Sequence, residues 1–224
     1  VTGTVASGGF TNDTVLDLAG SAEANSTVTI YNGATSLGTV TANGSGAWTF
    51  TTATLTNGTT YNFNATATDA AGNVSAASSN TTITVDTTIT AGTLSLSNYT
   101  DDGVSSSDFI ATDRTFDLTL SGQESGASVV YQVSTNSGSS WSTTTAAQSN
   151  LSDGSYQFRA VVTDAAGNVG TDTSSNELVV DTGRVAVSLP EAPNAVNAAE
   201  AASNGGTPVI STLPVADSTC WPPL

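Results

Sequence analysis

Asp69-Ala70-Ala71-Gly72-Asn73-Val74 returns 95 positions later as Asp164-Ala165-Ala166-Gly167-Asn168-Val169. Its surroundings return with it. Tyr61-Asn62-Phe63 precedes the first copy and Tyr156-Gln157-Phe158 the second. Val85-Asp86-Thr87 follows the first and Val180-Asp181-Thr182 the second. A period of this size is too long for the stacked unit of a solenoid and matches a whole small domain. The chain therefore reads as a tandem array, and its function is one that an array performs.

Between these landmarks the texture is Thr, Ser, Gly, Asn and Val in period-two alternation, the pattern of half-buried strands. Val28 and Ile30 alternate with Thr27 and Thr29, and Trp48 and Phe50 share a face. Tyr61, Phe63, Ala65 and Ala67 form a stripe opposite Asn62, Asn64, Thr66 and Thr68. Strands are predicted near 1–6, 14–19, 27–32, 36–42, 47–52, 60–68 and 81–86, with turns at Asn32-Gly33, Asn43-Gly44 and Asn57-Gly58. Seven short strands with turns about every 8 to 12 residues predict an all-β, two-sheet sandwich.

The second unit alternates likewise through Phe116, Leu118 and Leu120, then Val129, Tyr131 and Val133. Trp141 reads as the counterpart of Trp48, and Gly122-Gln123-Glu124 as that of Gly20-Ser21-Ala22-Glu23. Both tryptophans are expected in the core. Domains are expected at 1–88 and 89–182. Residues 183–224 differ. Val185, Val187 and Leu189 could start a third sandwich, but about forty residues cannot complete one. They read as a partial third repeat, an atypical tail, or a strand meant for another chain. Cys220-Trp221-Pro222-Pro223 matches nothing in the repeats.

Of 224 residues, 19 are acidic and three are basic (Arg114, Arg159 and Arg184), giving a formal net charge of −16. Such a polyanion is repelled by phosphates, which argues against nucleic-acid binding. No apolar run approaches the roughly 20 residues of a membrane-spanning helix. His and Lys are absent, which removes the commonest general base and the amine nucleophile. The acids also recur at matching positions of both units rather than in one cleft, so no enzyme is expected. The single Cys220 rules out an internal disulfide. Outside the cell, such a chain is expected to draw stiffness from calcium, a hard cation that favours oxygen ligands. Met is absent, and the chain is expected to be a piece of something longer.

The phrases Gly-Ser-Ala-Glu at 20–23, Trp48, Leu55-Thr56-Asn57-Gly58, Tyr61 through Ser75 and Val85-Asp86-Thr87-Thr88 carry a family likeness. So do Asp101-Asp102-Gly103-Val104, Ser107-Asp108-Phe109-Ile110, Leu151-Ser152-Asp153-Gly154 and Asp164 through Val169 in the second unit. Over residues 1–182 the chain resembles the bacterial immunoglobulin-like repeats of giant surface adhesins, including RTX-type adhesins exported by type I secretion. The resemblance implies tandem immunoglobulin-like β-sandwiches of about seven strands each, stiffened by Ca2+, which extend an adhesive tip from the bacterial cell surface. The partners implied are neighbouring repeats of the same chain.

Asp69 with Asn73, and Asp164 with Asn168, offer hard oxygens on a loop at one end of each sandwich; the same phrase also suits a purely structural turn. Asp86 and Asp181 stand where one domain hands over to the next. A cation at Asp86 could be shared with Asp69, with Asp164, or with Asp101, Asp102 and Asp108. Glu23 and Glu124, at equivalent loop positions, are the next candidate ligands. Ser7-Gly8-Gly9 stands where the second unit has Ser106-Ser107-Asp108, so a site resting on that carboxylate would be weaker in the first. Two other functions fit the same chain. One is a subunit of a self-assembling extracellular filament or surface layer, with 183–224 donating a strand to an identical chain. The other is a carbohydrate-binding module using Trp221.

Overall fold

Residues that alternate between apolar and Thr, Ser or Asn form strands with one wettable face, and such strands bury the other face only by pairing into sheets that pack together. The computed structural model describes residues 4–174 and 176–183. Every regular element among them is a strand, and no helix is long and apolar enough to cross a membrane. Residues 1–3 of the first expected strand, and the expectations for 184–224 with Cys220 and Trp221, lie outside the described residues.

The first sandwich holds β1 (Gly9–Thr11), β2 (Asp17–Ser21), β3 (Thr27–Asn32), β4 (Thr35–Thr41), β5 (Ala47–Thr51), β6 (Thr59–Thr68) and β7 (Thr81–Val85). One sheet runs β1-β7-β6-β3-β4, and the other is the pair β2-β5. Among the described residues the first strand thus lies at 9–11, and residues 4–6 of the expected strand are not in one. Thr11 pairs with Val85 in the parallel β1-β7 contact. Gly8, at φ 87°, turns the chain into it.

The second sandwich holds β8 (Thr93–Ser97), β9 (Ile110–Ala111), β10 (Phe116–Ser121), β11 (Ser128–Ser134), β12 (Ser142–Thr144), β13 (Ala147–Gln148), β14 (Gly154–Thr163), β15 (Val169–Thr173) and β16 (Leu178–Val180). Its sheets run β12-β11-β14-β16-β9, with β15 also on β14, and β13-β10-β8. It therefore has nine short strands where the first has seven. The extra ones arise because its last edge is split into β15 and β16, and because β8 adds to β10.

The cores follow the alternation. Val28, Ile30, Phe63, Ile83 and Val85 are buried in the first sandwich. Phe116, Leu118, Phe158, Ala160, Val162, Leu178 and Val180 are buried in the second, where Phe116 and Phe158 meet edge to face at 5.5 Å. Burying each such large side chain contributes about 1.5–3 kcal/mol. Trp48 packs against the core of the first sandwich from β5. Trp141 is not its counterpart. It precedes β12, on the opposite sheet, and the Arg159 guanidinium lies 4.3 Å from its ring centre. The two tryptophans share a composition cue but not a place in the pairing.

Candidate metal centre at the domain junction

The repeated phrase is a turn closed by its own aspartate. The Asp69 carboxylate accepts N–H bonds from Ala71 (2.9 Å) and Asn73 (2.8 Å), and the Asn73 amide donates to its other oxygen at 2.7 Å. These bonds, led by the Asn73 side chain, hold the Asp69 carboxyl below its usual range. Gly72, at φ 91°, supplies the left-handed step the loop needs. Asp164 and Asn168 repeat the geometry at 2.8 and 2.7 Å, with Gly167 at φ 87°. Asp164 is only 8% exposed, whereas Asp69 is half-buried.

The difference comes from the linker. After β7 the backbone N–H of Asp86 donates to Thr11 O at 2.8 Å, and that of Thr87 to Asn57 Oδ1 at 2.8 Å. Asn57 is in turn placed by Tyr61, whose hydroxyl accepts the Thr56 N–H at 2.8 Å. Tyr156 ties down its own loop by donating to Ser152 O. Both tyrosines anchor the loop a few residues upstream, as the tyrosine corner of immunoglobulin-like sandwiches does. Then the second domain takes hold. Asn168 Nδ2 donates to Asp86 O at 2.8 Å and Thr88 O at 3.1 Å, and Glu124 N donates to Thr90 O at 2.9 Å. Ile89 and Ala91 pack on the core of the second sandwich, beside Gly170.

This path carries the Asp86 carboxylate to Glu124 and Asp164, whose ligand oxygens all lie within 4.8 Å of one another. Unit charges at that separation repel by about 1 kcal/mol in water-like surroundings and by roughly 3–4 kcal/mol at the effective dielectric of a protein edge. A divalent cation removes the repulsion. The three carboxylates offer oxygen ligands, which suit a hard ion, and Asn168 Nδ2 holds the Asp86 and Thr88 carbonyls beside them.

Other expected residues are placed elsewhere. Asp101 Oδ2 accepts Phe109 N, the Asp102 carboxylate accepts both N–H and O–H of Thr112, and Asp108 Oδ1 accepts Ile110 N. They close a loop of the second domain and do not join Asp86. The bonds from Thr112 hold the Asp102 carboxyl below its usual range. Within this loop the Tyr99 hydroxyl and Asp101 Oδ1 are buried without a hydrogen-bond partner. Burial, then the nearby Asp101 and Asp113 charges, push the Tyr99 hydroxyl up to about 12. Glu23 and Asp69 line one hollow of the first domain with Asn73, repeating the Glu124, Asp164 and Asn168 set without a linker aspartate. Asp181 accepts the Gly183 N–H.

Sequence reasoning missed the carbonyls of Asp86 and Thr88 and the packing of Ile89 and Ala91, because backbone groups and contacts across the junction leave no residue signature. The pairing of Asn57 with Thr87 was open to discovery, since the Thr182 N–H repeats it to Asp153 Oδ1 at 3.2 Å.

No curated protein sequence matches the chain. A solved structure of a Ca2+-stabilized adhesin, with which an Antarctic bacterium reaches out and binds ice, aligns with 22% identity and a TM-score of 0.47 over 74% of this chain and 43% of that one. Another, from a 1.5-MDa bacterial ice-binding adhesin, aligns with 19% identity and a TM-score of 0.45 over 74% of this chain and 56% of that one. The chain thus spans about half the length of these solved chains. The model of the bacterial Ig-like domain family matches residues 1–87 and again 88–182. With two tandem copies that cover most of its length, the chain belongs to the bacterial Ig-like domain family.

Proposed function

We propose that the chain is a spacer of a bacterial cell-surface adhesin, working outside the cell and without catalysis, in which calcium at the junction holds consecutive domains in a fixed relation. The observation that carries this reading is the meeting of Asp86, on the linker, with Glu124 and Asp164, on the following domain. An ion held there would tie the hand-over segment to the domain it leads into. Calcium takes six to eight oxygens at about 2.3–2.6 Å. Asp86, Glu124 and Asp164 would hold it, and its charge would offset theirs.

The test is calorimetric titration with calcium, paired with small-angle scattering. The wild-type chain is expected to bind calcium and to show a broader distribution of interdomain arrangements after EGTA. Asp164→Ala and Asp86→Ala are each expected to lose one bound ion. Wild-type stoichiometry in both variants would remove these residues from the site, and a scattering profile indifferent to EGTA would remove the stiffening role. The carbohydrate reading gains nothing from Trp48 and Trp141, since one packs against the core and the other is covered on one face by Arg159.

A further inference from the structure

The turn between β4 and β5 is built like the aspartate turns at Asp69 and Asp164, but an asparagine opens it. Asn43 Oδ1 accepts Ser45 N–H at 2.9 Å and Ala47 N–H at 3.0 Å, as Asp69 Oδ1 accepts those of Ala71 and Asn73. Gly46 N donates to Asn43 O, and Asn43 N to Ala47 O, each at 2.8 Å, matching the bonds from Gly72 to Asp69 and from Asp69 to Asn73. Gly46, at φ 84°, stands where that turn has Gly72. An aspartate therefore fits position 43 with every one of these bonds kept, and the chain carries the amide there.

The residue after Asn43 makes that amide reactive. Asn32-Gly33, Asn43-Gly44 and Asn57-Gly58 each set a glycine nitrogen, unhindered by a Cβ, beside a side-chain amide. Two of these nitrogens are engaged: Gly33 donates to Asn62 O and Gly58 to Val85 O, both at 2.8 Å. Gly44 is exposed, and its N–H has no such acceptor among the described residues. The side-chain carbonyls differ too. Asn32 Oδ1 accepts the Asn62 N–H and Asn57 Oδ1 the Thr87 N–H. Asn43 Oδ1 accepts the Ser45 O–H at 2.7 Å besides the N–H groups of Ser45 and Ala47. Donors at these distances polarise the carbonyl and stabilise the oxyanion that forms when a nucleophile adds to it.

We propose that Asn43-Gly44 is a self-modifying site, at which the backbone converts the Asn43 amide to a carboxylate. The Gly44 nitrogen gives its proton to solvent and attacks Asn43 Cγ, a step made unimolecular by their adjacency. The N–Cγ bond forms and the Cγ–Nδ2 bond breaks; Nδ2 takes a proton from water and leaves as ammonia. Water then opens the cyclic imide, at Cγ to give aspartate or at the main-chain carbonyl to give isoaspartate. In sum, asparagine and water become aspartate or isoaspartate and ammonia, with no oxidant or cofactor. The aspartate product keeps the turn, because a carboxylate accepts the same donors more strongly than an amide does. The turn is held to the loop that carries Glu23, by Ala22 N–H to Gly46 O at 2.8 Å and Asn25 N–H to Ala42 O at 3.1 Å. The reaction therefore adds negative charge beside that loop of the first domain, independently of the junction metal.

The full chain, held folded in mildly alkaline buffer, is sampled over time and its peptides are mapped by mass spectrometry. Asn43 should lose its amide at least about tenfold faster than Asn32 and Asn57. Asn136, whose Oδ1 accepts the Ser140 N–H in a similar turn but which Ser137 follows, should keep its amide. In urea the rates at Asn32, Asn43 and Asn57 should converge, since these residues share the Asn-Gly step but not the folded surroundings. Ser45→Ala removes the hydroxyl donor and should slow the reaction about tenfold, with thermal melting confirming the fold. Gly44→Ala, where nothing lies within 4 Å of the added Cβ, should slow it as well by hindering the nucleophile. Amide loss at Asn43 no faster than at Asn32 or Asn57 overturns the proposal, as does a lead that persists unchanged in urea. A wild-type rate in the folded Ser45→Ala chain overturns the activation by the turn.

Discussion

Asn168 and Asn73 hold the same position in two copies of one phrase, yet they bear different loads. Both donate to the aspartate that opens their turn, but only Asn168 also reaches Asp86 O and Thr88 O. Asn168→Ala strips the linker of two bonds and is expected to cost about 1–3 kcal/mol, with amide exchange rising around residues 86–90. Asn73→Ala should cost less and leave the linker untouched. Equal effects would mean that the cross-junction bonds contribute nothing. Tyr99 gives a second residue-scale test. Its raised value means that folding favours the protonated phenol. Its contribution to stability is whole below the unfolded value, about 10, and is lost as pH rises through about 12. Ultraviolet titration should therefore show a late ionisation step from Tyr99, and Tyr99→Phe should remove that late step.

At the scale of elements, the linker and β8 work as one piece. Gly92, at φ 82°, begins it, and a Cβ there would stand 2.7 Å from both Gln123 N and Ser121 O. Gly122 also has a positive φ, of 72°, but nothing lies within 4 Å of its Cβ position. Gly122→Ala should therefore show only the left-handed backbone penalty, about 1–2 kcal/mol. Gly92→Ala adds the clash and should exceed it. At roughly 4–8 °C per kcal/mol for a domain of this size, thermal melting separates the two. Which side chains share a face was legible in the alternation of Tyr61, Phe63, Ala65 and Ala67, and again in Phe116, Leu118 and Leu120, because side chains two apart on a strand point the same way. The equivalence of Trp141 to Trp48 was not. The sheet an aromatic joins depends on which strand its own strand pairs with, and isolated spacing does not carry that information.

At the scale of the molecule, net charge and tandem repetition meet at the junction. With a charge of −16, the domains repel one another, and the carboxylates gathered at 4.8 Å concentrate that repulsion where the linker must stay seated. Calcium that binds only the folded junction should raise the melting of the second domain by about 2.7 kcal/mol at a hundredfold excess over its dissociation constant, or roughly 10–20 °C. The first domain, where no such cluster of three carboxylates is found among the described residues, should shift less. Scanning calorimetry with and without calcium reads both transitions. A uniform shift would place the ion elsewhere.

The amino-acid sequence alone determined the all-β class, the duplication, the turn at Asp69 and Asp164, and the acids available to a metal, because each is written in local spacing or in composition. Tertiary structure decided which acids meet. Asp86, Glu124 and Asp164 are 38 and 40 residues apart along the chain and converge through the path of the linker and the pairing of β14 with β15, while Asp101, Asp102 and Asp108 bond their own loop. It also decided that β10 is paired on both sides, by β13 and by β8. Alternation tells a strand which face to bury, but only the packed sheets tell it which neighbour it has.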